Sequence, residues 1–201
     1  IHSAIGANKV SNTFSSFSSF FYLYKHKKIS LQESFWIIPI SLFGGISGGY
    51  LATRISAENL SIIAIFLLIF AFVTSFFKMN TFTGEGRLKP NKFSIPGLYG
   101  IGIYDGVFGP GQGTLMMYLF GYLKVSYIRA VGCVRLATFS SCFGAAVTYI
   151  VTDQILWHYT LCLLLGSVTG AQIGVRVAER IQLKFVKSLL RFVTVGLILQ
   201  M

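Results

Sequence analysis

Three long runs of this chain contain no Asp, Glu, Lys or Arg, and they constrain its fold more than any other feature. They cover residues 34–53, 59–77 and 154–175. At a rise of about 1.5 Å per residue, a helix of about 20 residues covers the roughly 30 Å hydrocarbon layer of a bilayer. Because unpaired backbone groups are costly in lipid, spans of this length must be helical. The runs therefore predict an all-α integral membrane protein.

Composition and charge placement exclude several other classes of protein. Only 11% of the residues are charged, whereas soluble domains contain about 25%. The net charge of +11 comes from Lys and Arg between the apolar segments, where such residues hold loops in the cytoplasm. We therefore predict a lipid-bilayer environment and no nucleic-acid partner. Cys133, Cys142 and Cys162 lie in apolar segments at spacings of 9 and 20, which fit neither a metal site nor a disulfide framework, so we expect them to be small buried apolar side chains. We predict no metal and no cofactor.

The chain also repeats itself, because residues 4–56 match the residues 126 positions later without a gap. Internal repeats of this length indicate two related halves. We predict a first repeat over residues 1–78, a cytoplasmic linker over 79–94 and a second repeat over 95–201. The repeat partner of residues 97–113 would precede residue 1, so we expect the first repeat to be truncated at its start. Matched pairs include Gly6 with Gly132, Lys9 with Arg135, Ile29 with Ile155, Gly44 with Gly170 and Gly48 with Gly174.

The distribution of Lys and Arg predicts how the segments cross the membrane. Lys and Arg are concentrated in loops 25–28, 79–94 and 176–187, whereas loop 152–154 has none. Basic loops face the cytoplasm, and all of these do so only if the Gly-rich region 95–123 returns to the side from which it enters. We therefore predict a re-entrant hairpin, or a pair of short crossings, and two repeats of inverted topology. The predicted helices lie near residues 2–24, 33–52, 58–78, 127–151, 154–176 and 183–201.

One segment of the Gly-rich region cannot continue as a regular helix. Residues 109–113 (GPGQG) combine three glycines with a proline that has no amide hydrogen. The segments on either side, 95–108 and 114–123, are each too short to span the roughly 30 Å hydrocarbon layer. Half-helices that meet within the bilayer present free amides and a positive dipole end to an anion. Alternatively, the glycines only pack helices tightly; a nucleotide-binding loop would need a strand–turn–helix context that the sequence lacks.

Three ionisable residues lie within apolar segments, where charges are costly and mark functional sites. Lys9 and Arg135 are repeat partners, and Asp105 precedes the break. Two cations that face a gap lined by helix N-termini predict a cradle for a small oxyanion. Arg can grip such an anion with two hydrogen bonds, and Lys attracts it as a point charge. Alternatively, the cations extend to the membrane surface, or one of them pairs with Asp105.

Uncharged polar groups on the same segments complete the predicted anion site. The predicted substrate-binding residues are Lys9, Arg135, Asn8, Gly111, Gln112, Gly113 and Thr114. Asp105 would serve coupling or form an ion pair, and the secondary polar lining consists of Asn12, Thr138 and Ser141.

These motifs resemble the sulfite exporter TauE/SafE family. Residues 104–113 (YDGVFGPGQG) are similar to the hairpin motif of its branch with an Asp-Gly-x-x-Gly-Pro-Gly-x-Gly pattern, and residues 6–9 (GANK) to its Gly-Thr-Asn-Lys signature. Gly170, Gly174 and Arg180-Ile181 are similar to its repeated Gly-Ala-x-x-Gly segment. The resemblance spans the chain and implies a multi-pass bacterial inner-membrane protein that moves sulfite, thiosulfate or organosulfonates such as sulfoacetate. Arg135, Thr138 and Ser141 depart from the Lys and Asn common in the second half, which leaves the identity of the anion open.

The sequence thus predicts a secondary transporter that moves a small anion by alternating access. Asp105 would act as an ion-pair partner or as a proton carrier, and the coupling ion would be a proton or Na⁺. An anion channel would contain the same residues and differs only in rate and in coupling. An integral-membrane enzyme would need a histidine or a metal cluster close to Asp105, which the sequence does not provide. The residues identify neither an oligomeric state nor a direction of transport.

Overall fold

The computed structural model describes residues 1–74, Phe76, Phe82, Gly84 and residues 88–178. These ranges form eight helices, and no strand occurs within them. The prediction of an all-α protein is confirmed. The helices are α1 (His2–Lys25), α2 (Leu31–Ser34), α3 (Ile37–Arg54), α4 (Ala57–Thr74), α5 (Ser94–Val107), α6 (Gln112–Tyr122), α7 (Tyr127–Val151) and α8 (Trp157–Ala178).

Three helices of the described ranges, α4, α7 and α8, are long and apolar enough to cross a membrane. The predicted helix at 33–52 is divided, because α2 ends at Ser34 and α3 begins at Ile37. Four predicted features lie wholly or partly outside the described residues: the helix at 183–201, the loop 176–187 beyond Ala178, residues 75, 77 and 78 of the helix at 58–78, and residues 79–81, 83 and 85–87 of the linker.

Glycines on two sides of α3 let its backbone touch two neighbouring helices. A Cβ atom on Gly44 would lie 2.7 Å from the carbonyl oxygen of Tyr99 in α5. Gly48 also faces α5, whereas Gly45 and Gly49 face α7. Small residues at such positions allow helix backbones to approach closely. The three helices, here called the α3–α5–α7 block, therefore pack backbone against backbone.

The Gly-rich region forms a hairpin of α5 and α6 that turns inside the bundle. α5 begins beside the first turns of α7, where Leu98 packs in one cluster with Ala130, and it ends beside Ser141 in the middle of α7. α6 begins beside Thr138 and runs back, so that Phe120 joins the cluster of Leu98 and Ala130. The hairpin therefore enters and leaves the bundle at the same end. Its break lies about 20 Å along α7, at about 1.5 Å per residue.

The repeat partners α1 and α7 pack antiparallel to each other. Gly6 near the start of α1 contacts Ile155 beyond the end of α7. Gly132 near the start of α7 contacts Ile29 beyond the end of α1. Gly6 corresponds to Gly132 in the repeat, and Ile29 corresponds to Ile155. Replacing each residue by its repeat partner therefore turns one contact into the other.

Charged residues are divided unequally between the two ends of the bundle. The end at which α5 and α7 begin, here called the basic end, carries Lys25, Lys27, Lys28, Lys89, Lys92, Lys124, Arg129 and Arg176, together with the carboxylate of Glu33. The opposite end, at which α3 and α7 terminate, carries Arg54, Glu58 and Asp153. Loop 25–28 and the described part of the linker therefore lie at one end of the molecule.

Candidate functional site

A buried ion pair joins α1 to the hairpin. The Nζ atom of Lys9 lies 2.9 Å from Oδ1 of Asp105, and the two residues are 0% and 3% exposed. Lys9 lies on the face of α1 that packs into the bundle, beside Val10. Asp105 lies in the last turn of α5, immediately before the break. Since each of these charges has left water, their mutual attraction ties α1 to the hairpin at this point.

Two consecutive residues of α7 bind the other carboxylate oxygen of Asp105. The hydroxyl of Ser141 donates a hydrogen bond to Oδ2, and the thiol of Cys142 lies 3.4 Å from the same atom. Together with Lys9, these groups give the carboxylate one charged and two neutral partners. A buried carboxylate needs such hydrogen bonds to offset the loss of its hydration. Asp105 is therefore the point at which α1, α5 and α7 meet.

Gly109 makes the close approach of the ion pair to the break possible. A Cβ atom at this position would lie 2.7 Å from Nζ of Lys9 and 2.8 Å from Oδ1 of Asp105. The backbone of Gly109 also has a φ of 103°, and that of Gly111 has a φ of 82°. Residues with a side chain rarely adopt such angles. The sequence therefore needs glycine at 109 for both space and backbone conformation.

A second set of polar contacts continues from the ion pair into the start of α6. The side-chain nitrogen of Gln112 donates to the hydroxyl of Thr138 at 2.7 Å, and that hydroxyl donates to the Val134 carbonyl at 2.8 Å. The carbonyl of Thr138 lies 3.3 Å from the hydroxyl of Ser141. Five residues thus form one connected arrangement, here called the break network: Lys9, Asp105, Gln112, Thr138 and Ser141.

The first turn of α6 leaves hydrogen-bonding groups free beside the break network. The amides of Thr114 and Leu115 both donate to the carbonyl of Gly111, at 2.9 and 3.2 Å. Within the described residues, the amide of Gly113 and the hydroxyl of Thr114 have no hydrogen-bond partner. Free amides at a helix N-terminus carry partial positive charge and favour anions. The predicted residues Gly111, Gly113 and Thr114 therefore form one side of a site suited to an anion.

Arg135 is a partly buried cation that has no partner in the described ranges. Neither a carboxylate nor a hydrogen-bond acceptor binds its guanidinium there. It precedes Thr138 by three residues and Cys142 by seven, so all three lie on the same face of α7. That face points toward the break, where Thr138 binds Gln112. An arginine inside a membrane protein is costly without a counter-charge.

The structure places Lys9 and Arg135 at different depths in the bundle. Val10, next to Lys9, packs with Ala145 of α7, whereas Leu136, next to Arg135, packs nearer the basic end. The Lys9 ammonium binds Asp105 opposite Ser141, which lies six residues along α7 from Arg135, or about 9 Å at about 1.5 Å per residue. The two cations therefore form two successive positions along α7, and Lys9 alone belongs to the break network.

The two predicted asparagines lie apart from the break network. The amide nitrogen of Asn12 donates to Oδ1 of Asn8 at 2.8 Å, and Asn8 is exposed on the outer side of α1. They therefore bind each other and reach none of the groups around Asp105.

Sequence reasoning missed two residues of the site. Cys142 was expected to be a small apolar filler, but its thiol faces Asp105. Tyr104 donates to the carbonyl of Pro110, and its hydroxyl lies 3.3 Å from the carbonyl of Leu67, so it holds the break against α4. Tyr104 precedes the predicted residue Asp105, and Cys142 follows the predicted residue Ser141. This adjacency is the one sequence signal that could have identified them. Cys162, also expected to be buried, is exposed on α8.

Relatives of the chain are named as membrane transporters. It is 30% identical to "Probable membrane transporter protein ORF9" of Sinorhizobium sp, over 98% of this chain and 77% of that protein. It is 26% identical to "Probable membrane transporter protein YfcA" of Escherichia coli, over 87% of this chain and 66% of that protein. A "Probable membrane transporter protein" of Haemophilus influenzae is 27% identical over 87% of this chain and 69% of its own length. No solved structure matches the chain significantly.

The family model described as "Sulfite exporter TauE/SafE" matches residues 1–201, which is the whole of the chain. The apolar helices, the Gly-Pro-Gly break and the buried charges around it thus occur in a chain whose relatives carry transporter names. This chain belongs to the sulfite exporter TauE/SafE family and is a membrane transporter of that type.

Proposed function

We propose that this protein is a secondary transporter that moves a small sulfur oxyanion or organosulfonate across the bacterial inner membrane by alternating access. The single observation that carries the proposal is Arg135, a partly buried guanidinium without an anionic partner in the described ranges. A planar guanidinium matches the geometry of an oxyanion and binds two of its oxygens at once. A transported anion of the size of sulfite, thiosulfate or sulfoacetate would supply the counter-charge that Arg135 needs.

The break network offers the next position for the same anion. The free amide of Gly113 and the hydroxyl of Thr114 lie at the start of α6, close to Gln112 and Thr138. An anion that reaches them approaches Lys9, whose ammonium already binds Asp105. The anion and Asp105 then compete for one cation. When the anion displaces Asp105 from Lys9, the carboxylate is released and binds either a coupling proton or a Na⁺. Loss of the ion pair weakens the contact between α1 and the hairpin.

Two contacts support inverted repeats in this transporter. Gly6 against Ile155 and Gly132 against Ile29 are copies of each other with the repeat partners exchanged. A two-fold axis would relate the two contacts in this way, and because α1 and α7 are antiparallel, such an axis would run across the helices. An axis in the membrane plane produces inverted topology, the arrangement that lets one site face each side in turn.

The unequal charge of the two ends supports an orientation. Lys25, Lys27 and Lys28 lie at the basic end, together with five further cations of the described ranges. Because Lys and Arg are retained in short cytoplasmic loops, the basic end faces the cytoplasm in our proposal. The substrate would then meet Arg135 before Lys9 when it enters from the cytoplasm.

Uptake by proteoliposomes tests the transport function. The complete protein is reconstituted, and uptake of radiolabelled sulfite, thiosulfate and sulfoacetate is followed over time. Arg135→Gln should lower the uptake of the transported anion roughly 10- to 100-fold, since hydrogen bonds to a charged group contribute about 1.5–3 kcal/mol. Arg176→Gln is the matched control, because Arg176 stacks on the ring of Tyr22, 5.6 Å from its centroid and away from the break. Unchanged uptake of every anion by folded Arg135→Gln protein would contradict the proposal.

The same vesicles distinguish a carrier from a channel. Saturable uptake that increases under an imposed proton or Na⁺ gradient is expected for the proposed carrier and identifies its coupling ion. Uptake that rises linearly with anion concentration and follows neither gradient would replace the carrier with an anion channel.

A further inference from the structure

A basic cavity lies at the surface of the protein, apart from the break network. It has a volume of about 640 Å³ and lies between the end of α1, the α1–α2 loop and the first turn of α7. Its walls include Lys25, Lys27, Lys28 and Arg129, together with the ring of Tyr24. None of these side chains takes part in the contacts around Asp105. The proposed transport mechanism therefore leaves this cavity without a role.

Three of the four cations around the cavity are free to bind a ligand. Arg129 forms an ion pair with Glu33, which also lines the cavity. No carboxylate of the described residues pairs with the three lysines. The backbone turn that ends α1 holds these lysines at the rim: the amide of Lys28 donates to the carbonyl of Leu23 at 3.0 Å. The cavity therefore has a net positive charge and fits an anionic group such as a phosphate.

A row of exposed aromatic side chains, here called the aromatic groove, continues from this cavity along the line where α1 packs against α7. Phe21 and Phe17 follow Tyr24 along α1, and Phe17 lies 5.2 Å from Phe139 of α7, measured between ring centroids. Phe143 extends the groove, with its ring 6.2 Å from that of Phe139. Phe17, Phe21 and Phe143 are 47%, 53% and 48% exposed. Aromatic residues this exposed on membrane helices offer a surface for hydrocarbon chains.

The length of the groove matches one leaflet of a bilayer. Phe14, which is 53% exposed, lies ten residues from Tyr24, or about 15 Å at about 1.5 Å per residue. The hydrocarbon core of a bilayer is roughly 30 Å thick, so the groove reaches its midplane. A basic cavity at one end of an apolar groove of this length has the polarity pattern of a phospholipid. Basic pockets between membrane helices on the cytoplasmic side are known to bind lipid headgroups.

We propose that this site binds one anionic phospholipid of the leaflet at the basic end, with its phosphate in the lysine-lined cavity and an acyl chain along the Phe17–Phe21–Phe139–Phe143 groove. The lysines provide selectivity for a negative headgroup, and the aromatic groove provides selectivity for a lipid over a soluble phosphate. The bound lipid fixes the end of α1 against the start of α7.

Lipid binding is measured on the complete protein in phosphatidylcholine nanodiscs that contain increasing mole fractions of phosphatidylglycerol. Lipid retained per protein is counted by mass spectrometry. The Lys25→Gln/Lys27→Gln/Lys28→Gln protein should bind phosphatidylglycerol roughly 100-fold more weakly, because a basic residue near an anionic surface contributes about 1 kcal/mol, or roughly 5-fold in affinity. The control is Lys89→Gln/Lys92→Gln/Lys124→Gln, which removes the same charge from the same end outside the cavity. The proposal would be overturned if both triple variants lost the same affinity for phosphatidylglycerol. It would also be overturned if the wild-type protein retained phosphatidylcholine as well as phosphatidylglycerol.

A second variant distinguishes a lipid from a soluble anion. Phe21→Ala shortens the apolar groove and should weaken phosphatidylglycerol binding while leaving the binding of glycerol phosphate unchanged. Phe21 is about half exposed, so the fold should tolerate this change. If glycerol phosphate binds as tightly as phosphatidylglycerol and Phe21→Ala affects neither, the cavity is a site for soluble phosphates and the lipid proposal fails.

Discussion

Breaking the ion pair between Lys9 and Asp105 from one side should destabilise the protein far more than removing both charges together. Lys9→Met leaves the Asp105 carboxylate with the hydroxyl of Ser141 and the thiol of Cys142 but without a counter-charge. Asp105→Asn leaves an ammonium that is 0% exposed. An uncompensated buried charge costs about 3–5 kcal/mol. Each single variant should therefore lose stability of this order.

The double variant Lys9→Met/Asp105→Asn removes both charges and keeps an amide that can accept the hydrogen bond from Ser141. It should be destabilised by about 1 kcal/mol, the usual net value of a lost hydrogen bond. For a chain of this size, each kcal/mol shifts the Tm by roughly 2–4 °C. The single variants should then unfold roughly 6–20 °C below the wild type, and the double variant within about 4 °C of it. Thermal unfolding of the purified protein in lipid nanodiscs measures all four proteins.

The four unfolding temperatures form a double-mutant cycle, which isolates the coupling between the two charges. The reasoning would be refuted if the effects of the single variants simply added up in the double variant. That result would mean that each charge is satisfied by other groups. Uptake of the transported anion is measured on the same four proteins. If the double variant is stable but does not transport, the ion pair is needed for transport and not only for stability.

Two further predictions concern the break and the orientation of the chain. Gly109→Ala should abolish anion uptake and destabilise the protein by more than the roughly 1–2 kcal/mol of backbone strain, because its Cβ would lie 2.7 Å from the Lys9 ammonium. Gly100→Ala, where no atom lies within 4 Å of the added Cβ, should keep wild-type uptake, and equal damage in both variants would contradict this account. A cysteine introduced at Lys27 should react with a membrane-impermeant maleimide only when the reagent is added on the cytoplasmic side. A cysteine introduced at Asp153 should react only when it is added on the opposite side. Labelling of both from one side would reject the proposed orientation.

The helices and the break could be predicted from the sequence because both depend on local properties. Runs without charge determine where a helix can lie in lipid, and Pro110 with its neighbouring glycines determines where a helix must stop. The observed break after Val107 and the new start at Gln112 follow from that chemistry. The division at Phe35 and Trp36 was missed, because the apolar pattern continues through it.

The partners within the site could not be predicted, because they depend on how the helices pack. The repeat makes Lys9 and Arg135 equivalent in sequence, yet Lys9 has a carboxylate partner and Arg135 has none in the described ranges. Helical spacing shows that Ser141 and Cys142 are neighbours on α7, but not that the end of α5 comes to rest against them. That contact depends on α3, whose glycines set how far α5 lies from α7.

The backbone contacts of α3 also determine which parts of the protein can move relative to one another. Gly45 lies so close to the carbonyl of Ser141, and Gly44 to that of Tyr99, that sliding α3 would force backbone atoms into each other. We therefore expect α3, α5 and α7 to move as one rigid body that carries the break with it. α1 meets α8 partly through hydroxyl contacts such as that of Ser167 with the carbonyl of Ser11. Hydroxyls can exchange one carbonyl for the next along a helix, so we expect α1 and α8 to shift along each other more easily than the three helices of the block.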